Sequence, residues 1–119
     1  KPSIPEEIAN PPQPLTLTIA EGASLPTNPI FYEPSLARAA LGVDNKLIWE
    51  NHDATAHTVT TDNDYEDRLS GKFDSMDTIG LVTPGGTFEF VFTEDGEYPY
   101  HCEPHPWMTG IVTIVKNYS

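Results

Sequence analysis

Residues 96–115 read GEYPYHCEPHPWMTGIVTIV, and two strands joined by a short loop are legible in that stretch. Tyr98, Tyr100 and Cys102 alternate with Pro99 and His101, the period of a half-buried strand. Ile111 to Val115 is a β-branched run that suits a second strand. The same period recurs upstream. Phe88, Phe90 and Phe92 alternate with Thr87, Glu89 and Val91. Leu47 and Trp49 alternate with Lys46, Ile48 and Glu50, and Leu15, Leu17 and Ile19 alternate with threonines. Glu21-Gly22, Pro84-Gly85-Gly86 and Asp95-Gly96 mark turns between these runs. Residues 35–41, SLARAAL, contain good helix formers but also alternate, and we read them as strand. Residues 61–77 are acidic and turn-rich, which predicts a long loop or a loop with a short helix. Short strands with regular turns predict an all-β chain, an antiparallel β-sandwich spanning residues 15–119 as one domain.

Residues 1–14 differ from the rest. Pro2, Pro5, Pro11, Pro12 and Pro14 interrupt both helix and sheet, so this stretch reads as an extended Pro-rich arm or linker. Irregular packing along the domain surface is the competing expectation.

The charge balance excludes some partners. Eighteen acids against six bases give a net charge of −12, which argues against nucleic acid and anionic lipid surfaces. An acidic coat of this kind keeps a protein soluble or steers it to a basic partner. One cysteine permits no internal disulfide. No apolar run approaches the ~20 residues of a membrane helix, and no secretory signal leads the sequence.

The chemistry concentrates in the loop of the opening stretch. Cys102, His105 and Met108 are separated by two residues each. Thiolate and thioether are soft donors that suit copper, and imidazole suits both of its oxidation states. An electron-transfer copper site takes two His and one Cys in a trigonal plane with a long axial Met. The second histidine must come from elsewhere. His57 opens the strand-like His57-Thr58-Val59-Thr60 and is preferred over His52. His101 adjoins Cys102 in a strand and so points to the opposite face. Pro104 and Pro106 flank His105 closely and restrict the backbone that carries it.

The loop resembles that of the cupredoxins, the small blue type 1 copper proteins, and within them the amicyanin and plastocyanin-like branch. Gly96, Tyr98, Tyr100, His101, Cys102, Pro104, His105, Pro106 and Met108 match the pattern; Trp107 stands where it has Phe. Trp49, Asn51 and Asp53 followed by Ala56-His57-Thr58-Val59 resemble the stretch carrying the first copper histidine, and Phe31 and Pro34 fit its upstream pattern. The resemblance implies a Greek-key cupredoxin domain with one copper ion per chain, held by His57, Cys102, His105 and Met108. It implies that the Thr58 amide donates to the thiolate, that Pro104 has no N–H to give, and that electrons enter and leave through His105, Pro106 and Trp107. The family usually has Asn at position 58, which leaves open whether Asn51 or Asp53 ties the two loops. It also implies an extracytoplasmic location with any signal removed, redox proteins as partners, a monomeric state and no substrate.

Rival functions follow from the same residues. If water replaces Met108, the copper position is open to a small molecule; the resemblance to cupredoxins with non-standard sites then implies a copper oxidoreductase acting on a small nitrogen oxide such as nitric oxide. Copper storage would call for more Met or Cys than the chain has. A zinc site gives Met108 no purpose, and a Cys-His nucleophile lacks an oxyanion arrangement.

Overall fold

The computed structural model describes residues 3–119; Lys1 and Pro2, the start of the expected arm, lie outside the described residues. The strands are β1 (Leu15–Ile19), β2 (Tyr32–Glu33), β3 (Leu36–Ala40), β4 (Lys46–Asn51), β5 (Thr60–Thr61), β6 (Glu66–Asp67), β7 (Gly71–Lys72), β8 (Thr87–Val91), β9 (Gly96–His101) and β10 (Thr109–Val115). One sheet has the order β2-β1-β4-β8 and the other β3-β10-β9-β5, and they face each other as a sandwich. Residues 35–41 contain β3, as the alternation predicts. Residues 61–77 form the small ribbon β6–β7 and a 3-10 turn at Ser75–Asp77.

Strand direction holds a detail that alternation does not carry. β1 pairs with β4 in parallel, and β3 with β10 in parallel, while the other pairs run antiparallel. The chain leaves the first sheet after β2, adds β3 to the second sheet, and returns as β4. No hairpin links these neighbours, so no hairpin fixes their relative direction.

The inward residues of both sheets make the core. Leu17, Ile19, Leu47, Trp49, Phe88, Phe90 and Phe92 from one side meet Tyr98, Tyr100, Val112 and Ile114 from the other. Trp49 sits at the centre, edge-on to Tyr100 with ring centroids 5.5 Å apart, and its indole N–H donates to Tyr100 Oη at 3.1 Å. Tyr100 requires a glycine opposite. A Cβ on Gly110 would lie 2.5 Å from Tyr100 Oη.

Within the Pro-rich segment, Glu6–Ala9 forms one turn of helix, which the prolines argued against. Pro5 stands at its N-cap and Pro11 beyond its end, so neither interrupts it. Asn45 Nδ2 donates to Ile8 O at 2.8 Å and Gln13 N to Val43 O at 3.0 Å, which fasten the segment to the turn after β3.

Candidate metal centre

β9 ends at His101 and β10 begins at Thr109, and their pairing continues into the loop between them. Cys102 N donates to Met108 O at 3.1 Å, and Met108 N donates to His105 O at 2.9 Å. These bonds close residues 102–108 into a tight loop at one end of the sandwich. Cys102 and Met108 are fully buried, His105 is half-buried, and Pro104, Pro106 and Trp107 reach the surface. His57 arrives from the other sheet's connection. It is held by a reciprocal bridge, His57 N to Val82 O at 3.1 Å and Val82 N to His57 O at 2.7 Å.

These elements bring three donor atoms together. His57 Nδ1 lies 3.1 Å from His105 Nδ1, and Cys102 Sγ lies 3.6 Å from the first and 3.5 Å from the second. They form the one group of metal-binding side chains of this kind among the described residues. The centre of a triangle with these sides is about 2 Å from each corner, the usual metal–imidazole distance. Donors this close repel through their lone pairs unless a proton or a cation lies among them. A single soft-to-borderline ion in trigonal coordination fits the space and the donor set.

Titration prepares the donors unequally. Burial lowers the His57 pKa and outweighs the opposing pull of Asp53, so its ring is neutral and has a lone pair to give. Burial pushes the Cys102 thiol up, and backbone N–H groups of Thr58 and His105 only partly offset this. A metal must therefore displace the thiol proton.

The surrounding hydrogen bonds bear on what the sequence left open. Thr58 N donates to Cys102 Sγ at 3.4 Å. The tie between the loops comes from Thr58 itself, whose Oγ1 accepts from Glu103 N at 2.8 Å. Asn51 braces its own loop, donating to Thr55 O and Val82 O at 2.9 Å each and accepting from Asp53 N at 2.8 Å. Asp53 has a different task. Its Oδ2 accepts from His57 Nε2 at 2.7 Å, which leaves Nδ1 as the free donor. Burial raises the Asp53 pKa, but bonds from His57, Gly22 and Ala54 outweigh it, so the carboxyl lies below its ordinary range. Sequence reading missed the bond to His57; in a loop, residues four apart carry no implied contact. His52 is exposed beside Glu50, and His101 faces away from the triad toward Asp62 and Glu103.

Comparison with known proteins bears on the same site. The family of copper binding proteins typified by plastocyanin and azurin matches residues 23–115, most of the chain. This chain belongs to the plastocyanin/azurin family of cupredoxins. It is 26% identical to amicyanin of Paracoccus denitrificans over 116 residues, covering 83% of each chain. It is 33% identical to plastocyanin of Lactuca sativa over 92 residues, 71% of this chain and 88% of that one. A purple cupredoxin from Nitrosopumilus maritimus superposes with a TM-score of 0.67 at 29% identity, covering 84% of this chain and 98% of that structure. Both the Greek-key sandwich and copper as cofactor stand on these likenesses, with His57, Cys102 and His105 of this cupredoxin positioned to bind one metal ion.

Proposed function

We propose that this cupredoxin carries single electrons between redox proteins, with His57, Cys102 and His105 as equatorial copper ligands and Met108 as the weak axial one. The observation that carries the reading is the closed trigonal set: two imidazole nitrogens and one thiol sulfur within 3.6 Å of one another. Copper held there would cycle between its monovalent and divalent states without a change of ligands. The chain's part is to keep the donors still. Both loops are fastened by backbone bonds, and Thr58 joins them. Met108 is fully buried at the end of the same loop, which supports a thioether rather than water as fourth donor.

His105 is the ligand nearest solvent, and Pro104, Pro106 and Trp107 surround it with apolar surface. That patch supports a docking face through which electrons enter and leave. A basic partner matches the net charge of −12. The family likeness supports an extracytoplasmic location and a monomeric carrier.

Stopped-flow reduction and reoxidation of the copper-loaded protein by small inorganic couples tests this reading. Rapid, reversible one-electron exchange with an unchanged spectrum in azide or nitric oxide is expected. A spectrum that shifts with either molecule would replace the carrier with an open-site oxidoreductase.

A further inference from the structure

His57 and His105 stand on separate loops, yet the outer supports of both lead to one tripeptide, residues 22–24. The Asp53 carboxylate that accepts from His57 Nε2 also accepts from Gly22 N at 2.9 Å and Ser24 N at 3.3 Å. Trp107, whose ring centroid is 5.4 Å from that of His105, donates its indole N–H to Ala23 O at 3.2 Å. Ala23 is fully buried between them.

The turn is stiff. Ala23 N donates to Ala20 O at 3.1 Å and Leu25 N to Gly22 O at 3.0 Å. Asn28 Nδ2 donates to Glu21 O at 3.2 Å and Ile30 O at 2.5 Å, which ties the far side of the loop. Gly22 has φ +84°, a backbone conformation that favours glycine, and a Cβ there would press on the Asn28 amide that makes these bonds.

We propose that turn 22–24 is a brace that positions both histidines, Asp53 acting on His57 and Trp107 acting on His105. Its effect on copper rests on the function proposed above; its effect on the histidines does not. Asp53 fixes the His57 tautomer and places a negative charge one ring away from the donor atom, which favours the divalent over the monovalent ion. Trp107 provides what phenylalanine at this position could not, an N–H that anchors the loop beside His105 to the body. Because both contacts end on three consecutive residues of one stiff turn, a shift at one contact moves the turn as a unit and carries to the other.

The test uses Asp53→Asn, Asp53→Ala, Trp107→Phe, the Asp53→Asn/Trp107→Phe double variant, and Tyr118→Phe as a distant control. In the metal-free protein, NMR should show a slowly exchanging His57 Nε2 proton that Asp53→Ala abolishes. An equally protected proton in Asp53→Ala overturns the brace. In the copper-loaded protein, Asp53→Asn should shift the Cu(II)/Cu(I) binding ratio about tenfold toward Cu(I), the lower end for outer-shell partners. For one electron that is a rise of about 59 mV. An unchanged potential overturns the role of Asp53. Trp107→Phe should speed copper transfer to a chelator about tenfold and alter the thiolate band, with the control unchanged. The double variant should fall short of the product of the single effects on that rate, since the sites share the turn; effects that simply multiply overturn the shared brace. If the wild-type protein takes up no copper, the proposed function fails while the NMR result still decides the Asp53 arm of the brace.

Discussion

Cys102 is the donor that must change state when a metal arrives. Its thiol is pushed above the ordinary range by burial, whereas His57 is already neutral because burial lowers its pKa. At about pH 7–8, uptake of one Cu(II) should therefore release one proton from Cys102. Calorimetry in buffers of different ionisation enthalpy reads that proton, and uptake without release would remove the thiolate from the ligand set. Cys102→Ser should release none and show no thiolate-to-copper band. Met108→Leu should keep copper and raise the potential, because loss of a weak axial donor disfavours the oxidised ion; an unchanged potential would remove Met108 from the ligands. Cys102 and His105 are legible in sequence because they share one loop and a regular spacing that Met108 continues. Asp53 is not, since its meaning depends on which way the 52–57 loop folds. The bond from Trp107 to Ala23 is less legible still, because it joins residues 84 apart.

Elements hold these residues in place through a few buried contacts between the sheets. Tyr100 on β9 and Trp49 on β4 meet across the core, with the indole N–H paired to the phenol oxygen. Tyr100→Phe should leave that N–H buried and unpaired and destabilise the protein by about 1–3 kcal/mol in urea unfolding. An equally stable variant would mean that the pairing contributes nothing. At the end of the same strand, His101 lies between Asp62 and Glu103, 2.5 Å from the first. Burial lowers its pKa, but the two carboxylates outweigh this and the net shift is upward. The resulting stability is fully present below the unfolded value of about 6.5 and is lost as pH rises through the folded pKa. The difference in unfolding free energy between wild type and His101→Gln should shrink over that window, from no more than about 1 kcal/mol, since solvent screens the cluster. A difference that grows with pH would contradict the assignment. Alternation made the strands readable. The parallel pairs β1–β4 and β3–β10 were not, because period two identifies the buried face and says nothing of the neighbour.

Across the whole molecule the acidic surface and the buried triad act on different ranges. The net charge of −12 attracts cationic reagents over distances up to about the Debye length, which is longest in dilute buffer. Electron exchange with a cationic couple should slow as salt is added, and exchange with an anionic couple should speed up; identical salt dependence would mean the charge does not reach the exchange face. The central claim is more local, that two histidines and one cysteine make a type 1 copper site. Titration of Cu(II) into the purified protein, followed by visible absorption and EPR, tests it most directly. The account predicts saturation at one copper per chain, an intense thiolate-to-copper band and narrow copper hyperfine splitting. A colourless complex, or the wide splitting of tetragonal copper, would contradict it.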